Sequence, residues 1–396
     1  VGEGLNVSAL SEITVLELAE TVAGEYCGKL LADFGARVIK VERPGLGSPT
    51  RRLAPHAADG AGHGGLFAYL NAGKRSVVLD LEQAGGRARL AGLADLADVV
   101  IDDHATGWLA RVGIDPDEVR ASWPAMVLCA ITPYGQNPPP ERAHAEDLTV
   151  FHSSGWGYHT PGVGFESRPP LKGPGRFLVS YEAGQEAAMA IAACLLGRDA
   201  GQGGRFIDLS MHEVMVSRAD YVVAQFVAGE MDVTDWRGGF DMHGPGGIFP
   251  CLDGFIYVFM ATPDHWAAFR QMIGDPEWTH DLPPDWLMKG LTPERIALVR
   301  RDLCGWLASR GKVQAAHEAQ ELGITLVPVN TAADVMANPQ YAHRGYFAEV
   351  PDPVLGRLTL PPVPYRMSAT PAARPAPAPL LGQDSAELLA AQGEGA

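Results

Sequence analysis

The segment ITVLELAETVAGEYCGKLLADFGARVIKVE, residues 13–42, decides the fold. Ile13–Leu18 is a short apolar run of strand character. AGEYCGKLLADFG then spaces its apolar residues as a helix does, and Gly35 stands where a helix closes in the left-handed conformation. ARVIKVE is a second strand. Strand, helix and strand at this spacing predict two parallel strands joined by a right-handed crossover. The alternation goes on: SVVLDL as strand, GRARLAGLADLA as helix, DVVIDD as strand, WLARVG as a helical turn and AMVLCAIT as strand. The expected fold class is α/β: an open, doubly wound parallel sheet of Rossmann-like kind, with a smaller α+β domain. Ligands of such sheets lie beyond the carboxyl ends of the strands, which points here to the loops 19–24, 43–52 and 102–107.

Composition narrows the function. The chain has 396 residues, 46% of them hydrophobic and 20% charged, enough to bury a large core. Against 47 acidic residues stand 31 basic ones, a net charge of −16 with no basic cluster. Nucleic acid and anionic membrane surfaces are therefore not expected partners. The five cysteines are scattered without CxxC spacing and read as reduced thiols of a cytoplasmic protein. No leader and no stretch of membrane-spanning length is visible. The loop after the first strand lacks GxGxxG, so neither a nicotinamide nor a flavin dinucleotide is expected. No phosphate loop, GxSxG elbow or metal-ligand spacing occurs either, although 12 histidines are present.

Three sets of residues carry candidate chemistry. In GRFLVSYEAGQEAAMAIAACLLG, residues 175–197, a strand-like run hands over to an alanine-rich helix at Ser180-Tyr181-Glu182. Ser180 reads first as the helix N-cap, with Glu182 in the first turn facing the positive end of the dipole. The same helix start would also stabilise a bound anion or a developing negative charge. Glu146-Asp147 reads either as another helix start or as a general acid–base pair. Lys74 and Arg75 precede a strand, while Arg43, Arg51, Arg52 and Arg111 fall on or near the strand-end loops, where arginine suits a phosphate-rich ligand. From about Asp232 the pattern changes to Gly- and Trp-rich turns, the strand GFIYVFM and further helices, and the chain ends in a Pro-rich extended tail.

Several blocks in order, AGEYCGKLLADFGARVIKVERPGLGSPTR, YLNAGKRSVVLDL, ADVVIDDHATGWLARVGI, CAITPYGQ, GRDAGQGGRFIDLSMHEV and GITLVPVNTAADVMANPQYAHRGYF, resemble the family III CoA-transferases. That family includes formyl-CoA transferase, carnitine CoA-transferase and the α-methylacyl-CoA racemases. The resemblance implies a large CoA-binding domain formed by residues 1–225 and 331–396, a small domain at 226–330, and an interlocked homodimer. It implies an acyl-CoA thioester and a carboxylic acid as substrates, with no metal. It places Val22, Ala23, Arg43, Leu70, Lys74, Arg75, Asp103, His104 and Arg111 at CoA, Asp103 and His104 standing where the family usually has Asn and Phe. Family transferases begin the helix at 180 with an aspartate, four residues before a glycine, which attacks the thioester. Counted back from Gly184, that position holds Ser180. The racemases pair the aspartate with a histidine where this chain has Glu146. Three readings stay open: a transferase using Ser180, Asp147 or Glu182; an acyl-CoA isomerase, epimerase or lyase using Glu146, Asp147, Asp241 or His243; and a non-catalytic CoA-binding homologue. Asp241 and His243 sit in a glycine-rich stretch that the resemblance makes a lid, although its glycines equally suit plain turns.

Overall fold

A computed structural model describes residues 8–56, 62–139, 144–159, 175–229, 246–283, 285–290 and 292–390. The chain divides into two compact units, one formed by residues 1–160, 170–230 and 345–396, the other by 161–169 and 231–344.

The first unit opens with β1 (Thr14–Glu17), α1 (Val22–Asp33) and β2 (Arg37–Glu42). Gly35, at φ 98°, makes the turn between helix and second strand, a conformation that costs a side-chain-bearing residue energy. The sheet continues through β3 (Arg75–Val78), β4 (Val99–Asp102), β5 (Val127–Thr132) and β6 (Arg205–Ser210). All six strands are parallel, in the order β3-β2-β1-β4-β5-β6. Strand order therefore reverses between β1 and β4, where open α/β sheets leave a crevice for a ligand.

The period of two along each strand sorts side chains onto opposite faces. Val15, Val99, Ile101, Val127, Cys129 and Ile131 pack on one face against α1 and α4 (Leu178–Gly197). Leu16, Val100, Leu128 and Ala130 pack on the other, with Leu90 and Leu93 of α2 (Ala84–Ala94). α3 (Asp147–Ser153) precedes α4, and α5 (Met211–Ser217) follows β6. On the α1–α4 face the two helices approach closely at Gly184, where an added Cβ would lie 2.5 Å from the Ala23 carbonyl oxygen.

Beneath the β1 and β2 ends runs a buried polar network. The Lys74 ammonium donates to Glu17 Oε2 at 2.6 Å and the Glu25 carbonyl at 2.7 Å. Lys40 donates to Glu17 Oε1 at 3.1 Å and lies 2.8 Å from Glu25 Oε1. The Ser48 and Thr50 hydroxyls also donate to Glu25 Oε1, each at 2.6 Å. Charges so enclosed persist because each is paired and hydrogen-bonded, and the network anchors the loop after β2.

The second unit contains an antiparallel sheet in the order β7-β8-β9, made by β7 (Gly247–Cys251), β8 (Gly254–Phe259) and β9 (Thr325–Val329). Its core holds Trp266 and Phe269 of α6 (Pro263–Met272), Leu303 of α7 (Pro293–Leu307) and Ala315 of α8 (Lys312–Glu321). The chain then forms the hairpin β10 (Ala348–Asp352) and β11 (Gly356–Leu360). After an irregular Pro-rich stretch the last described element is α9 (Ser385–Ala390), whose Leu388 is buried in the first unit's core. Among the described residues no helix is long and apolar enough to cross a membrane. All five cysteines are free thiols, Cys27 and Cys129 fully buried.

Candidate active site

A cleft of about 800 Å³ opens at the carboxyl ends of the sheet, lined from the loops after β1, β2, β4 and β5 and from the starts of α3 and α4. The loop after β4 explains how α1 forms without a glycine fingerprint. The Asp103 carboxylate accepts from the backbone N–H groups of Glu20 at 2.8 Å, Thr21 at 2.9 Å and Gly24 at 3.2 Å, and from the Thr21 hydroxyl at 2.6 Å. A side chain of this protein thus occupies the anion-binding start of α1.

His104, next to it, stacks on Trp108, ring centroids 3.6 Å apart. Its Nδ1 lies 2.7 Å from Asp102 Oδ1 and its Nε2 3.4 Å from Glu20 Oε2. Burial alone would lower the imidazolium's pKa, but the bonds to Asp102 and Glu20 outweigh it and raise the group to about 9. Glu20 is held at about 2: burial pushes it up, and its bonds to His104 and Arg43 overcome that. Arg43 grips Glu20 with both Nε and Nη2.

At the other wall α3 meets α4. α4 begins at Leu178 with Phe177 as its N-cap residue, so Ser180 is the third helical residue and does not cap the helix. The capping expectation is corrected: the apolar run before Ser180 is already helix, and the serine side chain points at a neighbour. Its hydroxyl donates to Asp147 Oδ2 at 2.5 Å, and its backbone N–H donates to Asp147 Oδ1 at 2.9 Å. A carboxylate from α3 therefore caps α4. Burial raises the Asp147 carboxyl above its ordinary value, opposed by hydrogen bonds from the Ser180 side chain and from the Ser180 and Val179 amides. Ser180 is 4% exposed, whereas Asp147 is half-buried and reaches the cleft.

Of the residues expected at the site, Val22, Arg43, Asp103, His104, Glu146, Asp147 and Ser180 line this cleft. Others lie elsewhere. Glu182 is beyond the first turn and pairs with Arg218 Nε at 3.1 Å. Ala23 is enclosed between α1 and α4, and Leu70 is fully buried. Lys74 is held inside the polar network with its side chain wholly enclosed, so its charge serves Glu17 rather than a ligand in the cleft. Arg75 begins β3, at the amino end of the sheet, and binds Asp384 and Glu387. Arg111 is exposed on the short helix Trp108–Val112, outside the lining. Asp241 and His243 lie outside the described residues. Sequence reasoning singled out neither Glu20 nor Thr50, though both fall in the strand-end loops it named, and it passed over Arg176. Arg176 had a visible signal, its place four residues before Ser180. Among the described residues no group of three or more His, Cys, Asp and Glu side chains is placed to hold a metal.

Comparison with known proteins follows this geometry. The chain is similar to the human succinyl-CoA:glutarate CoA-transferase, 26% identical over 97% of this chain and 86% of that protein. It is similar to the succinyl-CoA–D-citramalate CoA-transferase of Chloroflexus aurantiacus, 28% identical over 96% and 93%. Among solved structures, a CaiB/BaiF family protein from Brucella suis superposes with a TM-score of 0.84, 25% identical, covering 98% of this chain and all of that one. The family model for CoA-transferase family III matches residues 10–385. With that match running almost end to end over a sheet whose cleft carries the expected strand-end residues, the chain belongs to CoA-transferase family III.

Proposed function

We propose that this protein transfers CoA between a CoA thioester and a free carboxylate, with Asp147 as nucleophile and Ser180 as the residue that positions it. The observation that carries the reading is the Asp147 carboxylate, bonded to both the hydroxyl and the N–H of Ser180 on the cleft wall. The family's usual aspartate position is filled by serine, and the serine holds a carboxylate from the neighbouring helix.

Carboxylate chemistry favours Asp147 over Ser180 as the attacking group. An ionised carboxylate needs no base, and the anhydride it forms is reopened by a thiolate; a serine ester is much less activated. An Asp147 oxygen attacks the thioester carbonyl, the C–S bond breaks and CoA leaves as thiolate, giving a mixed anhydride. The thiolate then attacks the Asp147 carbonyl carbon, releasing the donor acid as carboxylate and leaving an aspartyl-CoA thioester. The acceptor carboxylate attacks that carbonyl, CoA leaves, and a second anhydride forms. Thiolate attack on the acceptor's carbonyl yields the new thioester and restores Asp147. The N–H groups opening α4 stabilise the negative charge that develops at each stage.

At the cleft rim Arg43 holds Glu20 through Nε and Nη2, which leaves its Nη1 edge as the cation for a CoA phosphate. Acids with two carboxylates are the substrate class favoured, because the relatives are named for succinyl-CoA with glutarate and with D-citramalate. An interlocked dimer belongs to the same reading, and light scattering on the purified protein checks that two copies associate.

The test is CoA exchange between succinyl-CoA and a panel of acids, with mass mapping of any CoA carried by the enzyme. The expected result is exchange, with CoA on the peptide containing Asp147. Asp147→Asn lowers kcat/KM by roughly 10³-fold or more, as loss of a covalent nucleophile does. Ser180→Ala lowers it by about ten- to a hundredfold, the scale of one hydrogen bond to a charged group. Full activity in Asp147→Asn, or deuterium uptake at the acyl α-carbon without CoA exchange, would overturn the assignment.

A further inference from the structure

The cleft is acidic for a site that must admit anions. Glu20, Asp103, Glu146 and Asp147 line it, within a chain of net charge −16. Two arginines face this field. Arg43 is committed to Glu20. Arg176 makes no hydrogen bond or ion pair with any described residue, and its guanidinium lies over the Phe177 ring, 4.9 Å from the centroid. Stacking of this kind steadies the guanidinium plane while leaving its N–H edge open, the edge that grips a carboxylate in two parallel bonds.

Position supplies the second argument. Arg176 stands two residues ahead of α4, on the wall where Ser180 holds Asp147, and Phe177, Leu178 and Val179 between them line the same cleft. Asp147 and Arg176 thus line one cleft, where a substrate can present its reacting carbonyl to the first and its far end to the second.

We propose that Arg176 is the specificity-determining residue of this site, binding the second carboxylate of a short dicarboxylic acid while Asp147 reacts with the first. The assignment rests on the transferase reading above. It adds which group distinguishes a dicarboxylate from a monocarboxylate of equal length: the bidentate pair that Arg176 forms only with the former. An acid lacking that carboxylate forgoes the pair and leaves the exposed guanidinium to water, so discrimination comes from the bond gained by the right substrate.

Chain-matched acceptors test this, succinate against butyrate with glutaryl-CoA as the donor so that each product differs from it, using wild type, Arg176→Gln and Arg176→Lys. The side chain is exposed, so the variants are expected to fold, and circular dichroism checks that they do. Wild type prefers succinate. Arg176→Gln cuts the succinate-to-butyrate ratio of kcat/KM by about ten- to a hundredfold, chiefly through KM for the acid, and Arg176→Lys falls between. A ratio unchanged in Arg176→Gln overturns the proposal. So does an equal rise in KM for the CoA thioesters of both acids, which would make Arg176 a phosphate contact. Absence of exchange in wild type, with no CoA on Asp147, fails the transferase reading and this proposal together. CoA trapped on Asp147 with an unchanged ratio fails this proposal alone.

Discussion

Asp147 and His104 are two titratable side chains in one cleft, perturbed in ways that suit different tasks. Burial raises the Asp147 carboxyl above its ordinary value, and a more basic carboxylate is the stronger nucleophile in the proposed reaction. His104 is clamped between Asp102 and Glu20 and stacked on Trp108, so its proton is held well above the ordinary histidine range, to about 9. The folded protein binds that proton more tightly than the unfolded chain does. The stabilisation this gives is complete below about pH 6.5 and is lost as pH rises through about 9. Thermal melts across pH 6–10 should accordingly show the melting temperature falling between those limits, with His104→Gln removing most of that fall. A wild-type profile that is flat from pH 6 to 10 would refute the clamp. His104 also shows how a residue readable as a ligand contact acquires a second role: it fixes Glu20, and through Glu20 it fixes Arg43.

The helix α4 carries the site through its start and its packing alike. Gly184 allows α4 to lie against α1, since a Cβ there would press on the Ala23 carbonyl at 2.5 Å and on Tyr26 Cβ and Cys27 N at 3.2 Å. Backbone atoms cannot yield as a flexible side chain does. Gly184→Ala is therefore expected to push the helices apart and cost about 1–3 kcal/mol. The Ser180–Asp147 contact one turn earlier would loosen as well. Urea unfolding measures the first effect and CoA-exchange kinetics the second; stability and activity both at wild-type level would remove the close approach as the reason for glycine. The elements themselves were legible: strands in runs such as VLCAIT, α1 by its spacing, its end by Gly35. The start of α4 was not, because FLV reads as strand by β-branched and aromatic content, while the carboxylate that caps the helix, Asp147, lies thirty-three residues before Ser180. Lys74 was misplaced for a related reason. A lysine beside a strand reads as solvated or ligand-binding, and only the fold reveals Glu17 waiting inside.

Over the whole molecule, the sheet's exposed-edge problem at β3 is solved by the end of the chain. β3 is an outer strand in the order of six, and such a strand offers unpaired backbone groups to other chains. Residues 379–388 cover it. Ser76 N–H donates to Asp384 Oδ2 at 2.9 Å, Val78 N–H donates to Ser385 Oγ at 3.0 Å, and Asp384 N–H donates to the Ser76 carbonyl at 2.9 Å. Arg51 donates to the Pro379 carbonyl at 3.1 Å, and Leu388 fills the core beneath. The Pro-rich composition predicts an extended chain and the family resemblance returns it to the large domain, but its grip on β3 was not legible, because those bonds come from single Asp, Ser and backbone groups. A chain ending at Ala378 loses these bonds and the buried Leu388. At about 1 kcal/mol for each bond and about 2 kcal/mol for the leucine, the loss is a large part of a typical stability. The melting temperature should fall by at least about 10 °C, with aggregation through the uncovered strand. Asp384→Asn in the full chain, which keeps the cover but weakens its grip on Ser76 and Arg75, should fall between wild type and the truncation. A truncated protein that melts within about 2 °C of wild type and stays monodisperse would show that β3 needs no cover.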